Sequence, residues 1–319
     1  MKARHQSVSV VAPARLHMGF IDMSGALGRH FGSIGVALEE IHTEVRVSAA
    51  QKLSVSGPSS ARAEKIALQL CEAFQVPAAL QIDIQTAIPE HIGLGSGTQM
   101  ALAIGAALNA FYGLGLSVRD IARIADRGAR SGIGIGVFEH GGLVVDGGRG
   151  PDTSVPPVLS RMPIPGEWRF ILAFDRRGQG LHGEQEISAF QKLPPFPRSE
   201  AERLCYLLLM RALPALAEQN LAQFGEVITQ LQSAVGQHFA PVQGGIFTSP
   251  EVAEAMVWLQ QQGAVAIGQT SWGPTGFCAV TGMQATADLL EQLRQKFTSE
   301  HLSFMIASAR NHGAAITPE

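Results

Sequence analysis

The sequence has little cysteine, and Cys71, Cys205 and Cys278 lie far apart with no CxxC pair. This spacing argues against a disulfide framework and against a zinc site, and it predicts buried thiols in a reducing cytoplasm. The net charge is only −3, so the chain has neither a basic field for a nucleic-acid backbone nor a polybasic membrane patch. These absences favour a small-molecule ligand over nucleic acid or membrane.

Long hydrophobic runs are also scarce. The longest, Met100 to Leu116, spans 17 residues, contains Asn109 and follows a glycine loop. It is short for a bilayer span and predicts a buried helix. The first residues carry charge and then alternate Ser and Val, which is unlike a signal peptide, so we expect a cytoplasmic protein.

The 319 residues, 46% of them hydrophobic, are enough for two domains of ordinary size. Strand and helix patterns are mixed: "EVRVSA" and "KLSVSG" predict strands of a meander, whereas "ARAEKIALQLCEAFQV" predicts a helix. Proline-rich "LPPFPR" (193–198) precedes two further helical segments and marks the predicted boundary. The sequence therefore predicts an α+β fold with domains at 1–190 and 191–319.

A glycine loop stands directly ahead of the apolar helix, in "IPEHIGLGSGTQMALAIGAAL" (88–108). A loop that turns into a helix at Gly95-Ser96-Gly97-Thr98 offers unpaired N–H groups and the positive end of the helix dipole, which bind phosphate. The hydroxyls of Ser96 and Thr98 add donors or a ligand for a divalent cation. On this stretch alone, a glycine turn with a Ser/Thr N-cap is the alternative.

Polar residues interrupt the apolar strand pair at 10–40, where they need partners or a function. Arg15 and Arg29 either bind an anionic substrate or pair with Asp22 or Glu39. His17 and Asp22 are candidates for proton handling or for orienting an arginine. The Met and Phe residues spread over the helices are expected to be core.

The order of these motifs, with the late Ser/Gly/Thr turn "IGQTSWGPTGFCAV" (267–280), resembles the GHMP kinase superfamily over nearly the whole chain. The resemblance implies an N-terminal domain (1–190) like domain 2 of ribosomal protein S5 and a ferredoxin-like C-terminal domain (191–319). The kinase pattern is incomplete, because the chain has five lysines and none lies in a glycine-rich segment. "RSGIGIGVFEHGG" also lacks the aspartate that many of these kinases carry after a Ser-Gly pair.

Four motifs together resemble one non-kinase branch, the β-ribofuranosylaminobenzene 5′-phosphate synthases: "PARLHMGFIDMSGALGRHFGSIGVAL", "GLGSGTQMALAIGAAL", "RSGIGIGVFEHGGLVVDGG" and "GLHGEQE". The resemblance implies a pentosyltransferase that condenses 5-phosphoribosyl 1-diphosphate with 4-aminobenzoate, releasing carbon dioxide and pyrophosphate, in tetrahydromethanopterin biosynthesis. Mg²⁺ is the implied cofactor. 4-Hydroxybenzoate is an alternative acceptor, and an ATP-dependent small-molecule kinase and a catalytically silent binding module are alternative functions. We expect a homodimer.

These motifs supply the predicted site residues. The predicted catalytic residues are Arg15, His17 and Asp22. The predicted diphosphate-binding residues are Gly93, Gly95, Ser96, Gly97, Thr98, Gln99, Arg130, Ser131 and Gly132, with Ser96 also a metal ligand. The predicted substrate-binding residues are Arg29, Ser33, Arg176, His182, Ser271, Gly273 and Thr275. The glycine-rich loop at 176–186 is predicted to cover the site, with a plain solvated loop as the alternative.

Overall fold

The structure, a computed structural model, describes residues 4–177 and 192–319. Within them, the first sheet has seven strands in the order β11-β1-β2-β4-β3, and β5 pairs with β2 and β6 with β5. These strands are β1 (Ser7–Asp22), β2 (Phe31–Ala49), β3 (Ser54–Ser56), β4 (Leu80–Thr86), β5 (Leu143–Asp146), β6 (Val158–Met162) and β11 (Ala315–Pro318). The long β1–β2 hairpin is bulged between Pro13 and Arg15 and between His17 and Gly19.

The predicted meander is wrong at β3, which pairs in parallel with β4 rather than with β2. The reason is the helix between them, because a parallel pair needs a crossover that a tight turn cannot provide. The helices of this half are α1 (Ser60–Phe74), α2 (Ser96–Tyr112), α3 (Val118–Ile124) and α4 (Ile133–His140). Helix α2 is buried from Gln99 to Leu108, as its apolar sequence predicts, because it packs between the first sheet and the neighbouring helices.

Helix α4 corrects the interpretation of "GIGIG" as a turn. Its glycines allow close packing instead: a Cβ on Gly134 would lie 3.1 Å from Thr98 Cγ2, and one on Gly136 would lie 2.6 Å from Val144 Cγ1. The first turn of α4 therefore lies against the first turn of α2, and Gln99 Nε2 donates to the Gly134 carbonyl at 2.7 Å.

The second sheet has four strands in the order β10-β7-β9-β8. These are β7 (Trp168–Asp175), β8 (Val265–Gln269), β9 (Gly276–Thr281) and β10 (Leu302–Ser308). Its helices are α5 (Arg198–Leu207), a π-helical turn (Leu208–Ala212), α6 (Leu213–Ala217), α7 (Leu221–Gln243), α8 (Pro250–Gln261) and α9 (Met283–Lys296). Strand β7 precedes the predicted boundary at 190 yet lies in the second sheet, and β11 returns to the first. The domain limits stay a prediction.

In the part of the chain that the structure describes, no helix combines the length and the apolarity needed to cross a membrane. Cys71 and Cys278 are buried as predicted, whereas Cys205 on α5 is exposed, so the prediction of buried thiols is wrong at this position. Cys205 lies on the solvent side of an amphipathic helix, whose buried residues are Ala201 and Leu204.

Candidate active site

The glycine loop forms the start of α2. Gly95 is its N-cap, with φ of 85° and no side-chain cap, and Gly93 also has a positive φ of 82°. Glycine adopts this conformation without the strain of a side chain, so the backbone N–H groups can face a ligand. Thr98 and Gln99 N–H groups both turn back onto the Gly95 carbonyl at 3.1 Å.

Two arginines that the sequence analysis did not select reach this loop. A Cβ on Gly97 would collide with the Arg62 guanidinium and would lie 3.8 Å from Arg127 Nη1. Arg62 on α1 pairs with Glu90 at 3.3 Å, with both side chains partly exposed. Burial and the charge of Arg62 lower the pKa of Arg127. The charge of Asp126 opposes this effect. The N-terminus of α2 therefore carries two neighbouring guanidinium groups, which suit an anion.

The turn that follows β8 holds the glycine loop in place through hydrogen bonds to two backbone carbonyls. Thr275 Oγ1 donates to the Ile92 carbonyl at 2.8 Å, and Thr270 Oγ1 donates to the Gly93 carbonyl at 2.9 Å. Gly273 fits against Ile92, where a Cβ would clash with the backbone. Arg15 adds a third support, since its Nη1 donates to the Gly93 carbonyl at 2.7 Å. The late glycine-rich turn thus positions the glycine loop, residues 93–98.

An apolar slot, hereafter the aromatic slot, lies beside this turn. It is lined by His17, Gly19, Phe20, Gln232, Val235, Phe239, Gln269, Ser271 and Trp272. Phe239 and Trp272 pack edge to face with ring centroids 4.7 Å apart, and His17 and Phe20 do so at 4.8 Å. Gln232 is fixed by donating to the Met18 carbonyl at 2.6 Å and accepting from Gln269 N–H at 2.9 Å. The lining is of the aromatic and apolar type that packs against flat rings, but the free volume of about 30 Å³ is too small for one as the slot stands.

His17 is 2% exposed, and its ring lies in the wall of the aromatic slot. Its Nδ1 accepts a hydrogen bond from Gly19 N–H at 3.2 Å, and Nε2 has no hydrogen-bond partner among the described residues. Burial, with the nearby charge of Arg15, holds the pKa of His17 well below its ordinary value. The imidazole is therefore neutral at physiological pH.

Ser33 and Ser131 meet over a buried carboxylate. Their hydroxyls are 2.7 Å apart, and Ser33 also donates to Asp146 Oδ2. Asp146 is fully buried and accepts from Gly132 N–H at 2.9 Å and from Gly148 N–H at 2.8 Å. Burial raises the pKa of this carboxyl, against the opposing effect of its hydrogen bonds. Asp146 holds the start of α4 in place beside the glycine loop.

The other predicted residues belong to other segments of the chain. Arg29 is exposed and donates to the Gly147 and Gly148 carbonyls at 2.9 and 3.1 Å, and no carboxylate lies within 4 Å of it in the described ranges. Asp22 accepts from Ser24 N–H and Oγ. Arg176 is exposed at the end of β7, Arg130 is partly buried just before α4, and His182 lies outside the described residues.

Only the folded chain brings the missed residues to the site. Arg62 stands in an ordinary helix sequence, and Phe239 and Trp272 look like core residues, so no local pattern marks them. Among these missed residues, Arg127 alone lies near a motif in the sequence, since it stands three residues before "RSGIGIG". Asp146 ends the strand "LVVD" and resembles a turn residue.

Within residues 4–177 and 192–319, no three His, Cys, Asp or Glu side chains are grouped to hold a metal ion. Mg²⁺ in phosphate sites, however, takes most of its ligands from phosphate oxygens and water and few from protein. The Ser96 hydroxyl at the first position of α2, beside the predicted phosphate position, is of the right type. The donor set fits a Mg²⁺ that is bound largely by a diphosphate.

Comparison with known proteins agrees with this geometry. Residues 61–142 match the GHMP kinases N terminal domain, and residues 212–302 match the GHMP kinases C terminal domain. The chain is 34% identical to the beta-ribofuranosylphenol 5′-phosphate synthase of Archaeoglobus fulgidus, over 95% of this chain and 97% of that protein. It is 33% identical to the protein of the same name from Methanocaldococcus jannaschii, over 70% of this chain and 76% of that protein.

The fold is also that of solved structures. Mevalonate diphosphate decarboxylase from Staphylococcus aureus superposes with a TM-score of 0.67, at 17% identity, over 98% of each chain. The predicted α+β, GHMP-kinase-like fold is confirmed. The chain belongs to the GHMP kinase superfamily and, within it, to the family of the beta-ribofuranosylphenol 5′-phosphate synthases.

Proposed function

We propose that this chain transfers a phosphoribosyl group from 5-phosphoribosyl 1-diphosphate to a 4-substituted benzoate, with loss of carbon dioxide and pyrophosphate. One observation carries the proposal: Thr270 Oγ1 accepts from His17 N–H at 2.9 Å and donates to the Gly93 carbonyl at 2.9 Å. The Thr270 side chain thus joins the glycine loop, where we place the diphosphate, to the aromatic slot. A diphosphate subsite beside an aryl subsite is what this reaction needs.

The chemistry accounts for the residues that the site uses. The bond between the sugar C1 and the diphosphate oxygen breaks, and the oxygen keeps the electron pair. The ring carbon that bears the carboxylate attacks C1. The carbon–carboxylate bond then breaks, carbon dioxide leaves, and the electron pair of that bond restores the aromatic ring. No acceptor hydroxyl is deprotonated, so the reaction needs no base at the glycine loop.

The leaving diphosphate is the group that the loop would stabilise. Loop N–H groups, with the Arg62 and Arg127 guanidinium groups beside Gly97, would bind its negative charge. When bound, Mg²⁺ would neutralise part of that charge, with the Ser96 hydroxyl as its ligand from this chain. The benzoate ring would occupy the aromatic slot, and water would be excluded from the reacting carbon.

The alternative, an ATP-dependent kinase, has less support. A kinase would need a group to orient or deprotonate the acceptor hydroxyl. Near the Ser131-Gly132 pair stands Gly134, and a Cβ there would already lie 3.1 Å from Thr98 Cγ2, so an aspartate at this position would displace Thr98. The four lysines that the structure describes are all exposed.

The relatives' names describe a ribofuranosyl group joined to a phenol, which is the class of product expected from 4-hydroxybenzoate. 4-Aminobenzoate, the acceptor predicted from the sequence, would give the corresponding arylamine. We place either product in the synthesis of methanopterin-type one-carbon cofactors, and we expect a homodimer.

The test is a single assay with Mg²⁺, 5-phosphoribosyl 1-diphosphate and either benzoate labelled in its carboxyl group. We expect labelled carbon dioxide and pyrophosphate in equal amounts, with no requirement for ATP. ATP consumption with a hydroxyl acceptor, and no carbon dioxide from either benzoate, would overturn the proposal in favour of the kinase.

A further inference from the structure

The tautomer of His17 restricts what can bind opposite it in the aromatic slot. Gly19 N–H donates to Nδ1 at 3.2 Å, so Nδ1 is the unprotonated nitrogen of this ring. The pKa of His17 lies well below its ordinary value because the ring is buried, so the imidazole is neutral. The single remaining proton is therefore on Nε2.

Nε2–H is thus a buried donor in the slot wall without an acceptor among the described residues. The two neighbouring glutamines are already engaged: Gln232 bonds the Met18 carbonyl and Gln269 N–H, and Gln269 Oε1 accepts from Thr248 N–H at 2.7 Å. A buried donor that lacks an acceptor is unfavourable, and a ligand that supplies one relieves this cost. The slot therefore favours a ring that carries a hydrogen-bond acceptor.

We propose that His17 selects the acceptor substrate by donating a hydrogen bond from Nε2 to an oxygen at the para position of the benzoate ring. The inference rests on the proposed function and refines it. It assigns His17 as the residue that distinguishes a 4-hydroxybenzoate-type ring from a 4-aminobenzoate-type ring, which is a different role from moving a proton.

The chemistry of the addition step strengthens this discrimination. When the ring carbon bonds to the sugar, electron density leaves the para substituent. The para hydroxyl becomes a C=OH group that keeps its proton and one oxygen lone pair, so it still accepts a hydrogen bond from Nε2–H, and it becomes a phenol hydroxyl again when carbon dioxide leaves. A para amine becomes an iminium, which has two N–H donors and no lone pair, so it would face the Nε2–H donor directly. The mismatch is greatest where the barrier lies, and it acts on kcat/KM.

Switching the tautomer does not remove the mismatch. Protonation of Nδ1 would place that proton against Gly19 N–H, two donors facing each other across 3.2 Å. Gly19 is fixed at the bulge in β1, with φ of 130°, and a Cβ there would collide with Leu231 Cδ2. The backbone therefore locks the histidine as an Nε2–H donor.

Ring entry requires one wall of the slot to move, because its free volume is about 30 Å³, which admits about two water molecules. Phe20 is the wall suited to move. It is partly exposed and contacts His17 and Phe239 edge to face, with centroids 4.8 and 6.4 Å away. Its displacement would expose the His17 ring to the ligand.

The first test uses the wild-type protein without turnover. In long-range ¹H–¹⁵N spectra of protein labelled in histidine, we expect His17 to show a protonated Nε2 and an unprotonated Nδ1. Isothermal titration should show tighter binding of 4-hydroxybenzoate than of 4-aminobenzoate. A protonated Nδ1, or tighter binding of the amine, would overturn the inference.

The second test compares His17→Phe and His17→Gln with a matched control, His238→Phe. His238 is a partly buried histidine next to Phe239 that does not line the slot. Wild type should favour the hydroxy acceptor in kcat/KM by about tenfold to a hundredfold. His17→Phe should bring the ratio of the two kcat/KM values near one, because kcat/KM for the hydroxy acceptor falls. His17→Gln, which keeps a hydrogen-bond donor, should retain part of the preference for the hydroxy acceptor.

The control variant should leave the acceptor ratio unchanged, and an unchanged ratio in folded His17→Phe would overturn the inference. Should His17→Phe fail to fold, His17→Gln and the spectra of wild type decide the question. If neither benzoate releases carbon dioxide but binding still favours the hydroxy ring through His17, the proposed function fails and the assignment of His17 stands.

Discussion

Replacing Arg127 by glutamine tests the diphosphate site most directly. Its Nη1 lies 3.8 Å from the Cβ position of Gly97, and its Nε is buried with no hydrogen-bond partner among the described residues. Burial and Arg62 lower the pKa of Arg127, while Asp126 opposes them, so the folded protein holds this charge less favourably than water does. Glutamine keeps much of the length and the hydrogen bonding and removes the charge.

The expected signs for activity and stability are opposite. Loss of a charged hydrogen bond to the diphosphate costs about 1.5 to 3 kcal/mol, or about tenfold to a hundredfold in kcat/KM for 5-phosphoribosyl 1-diphosphate. Removal of this partly buried cation, whose cost Asp126 offsets only in part, should stabilise the free protein by up to about 1 kcal/mol. For a protein of this size, that gain raises Tm by about 1.5 °C per kcal/mol.

Thermal unfolding with and without pyrophosphate separates the two effects. Wild type should gain about 2.7 kcal/mol at a pyrophosphate concentration one hundred times Kd, and Arg127→Gln should lose most of that gain. The control is Arg123→Gln, four residues earlier on α3, because Arg123 is exposed and pairs with Asp120 at 3.5 Å. A lower Tm for Arg127→Gln, with unchanged binding of pyrophosphate, would show that Arg127 is structural and would refute this reasoning.

Three further outcomes are expected. Gly97→Ala should weaken pyrophosphate binding in a folded protein, because the new Cβ collides with a guanidinium group. The control Gly166→Ala, which has open space around its Cβ, should bind pyrophosphate normally. Equal affinity of the two variants in titrations would contradict this prediction. Asp146→Asn should lower the free energy of unfolding by about 2 to 4 kcal/mol, measured in urea. The two carboxylate oxygens of Asp146 each accept from a backbone N–H, whereas an amide has one acceptor oxygen and would place an NH₂ group against the other N–H. Hydrogen bonds from Arg177 hold the pKa of Asp175 at about 2, below its usual 3.8, so its stabilising effect is complete above pH 3.8 and is lost as the pH falls towards 2. Acid unfolding curves of Asp175→Asn should lack that component.

The sequence predicted the parts of the fold that depend on local pattern. The alternation in β1, the helical spacing in α1 and the apolar run of α2 are each consequences of burial on one face or on all faces. The glycine loop before α2 was also predictable, because positive φ at Gly93 and Gly95 needs glycine. The "GIGIG" segment misled because glycine serves close helix packing as readily as turns.

The site was predictable only in part, because its pieces come from distant segments. Phe239 lies on α7 at a position that helical spacing assigns to the core, and it does pack there, yet one edge of its ring faces the aromatic slot. Arg62 gives no local signal either, since an arginine in the first turn of a helix is ordinarily a solvated surface residue. Its function depends on the distance to Gly97, which is fixed by how α1 packs on α2.

The site also explains how one fold can serve two chemistries. A kinase and the transferase that we propose both need a cradle for phosphate oxygens, so the glycine loop and its supports at Arg15 and Thr270 suit either reaction. They differ in where the electrons for the new bond come from. A kinase acceptor must lose a proton, whereas the benzoate acceptor supplies its electrons from the ring and recovers them from the carbon–carboxylate bond. A base beside the loop is then unnecessary, and Gly134 can let α4 pack directly on Thr98. In the reaction that we propose, specificity depends on the aromatic slot, which α7 and the turn after β8 build together with β1, and on the hydrogen bond from His17 to the para substituent of the ring.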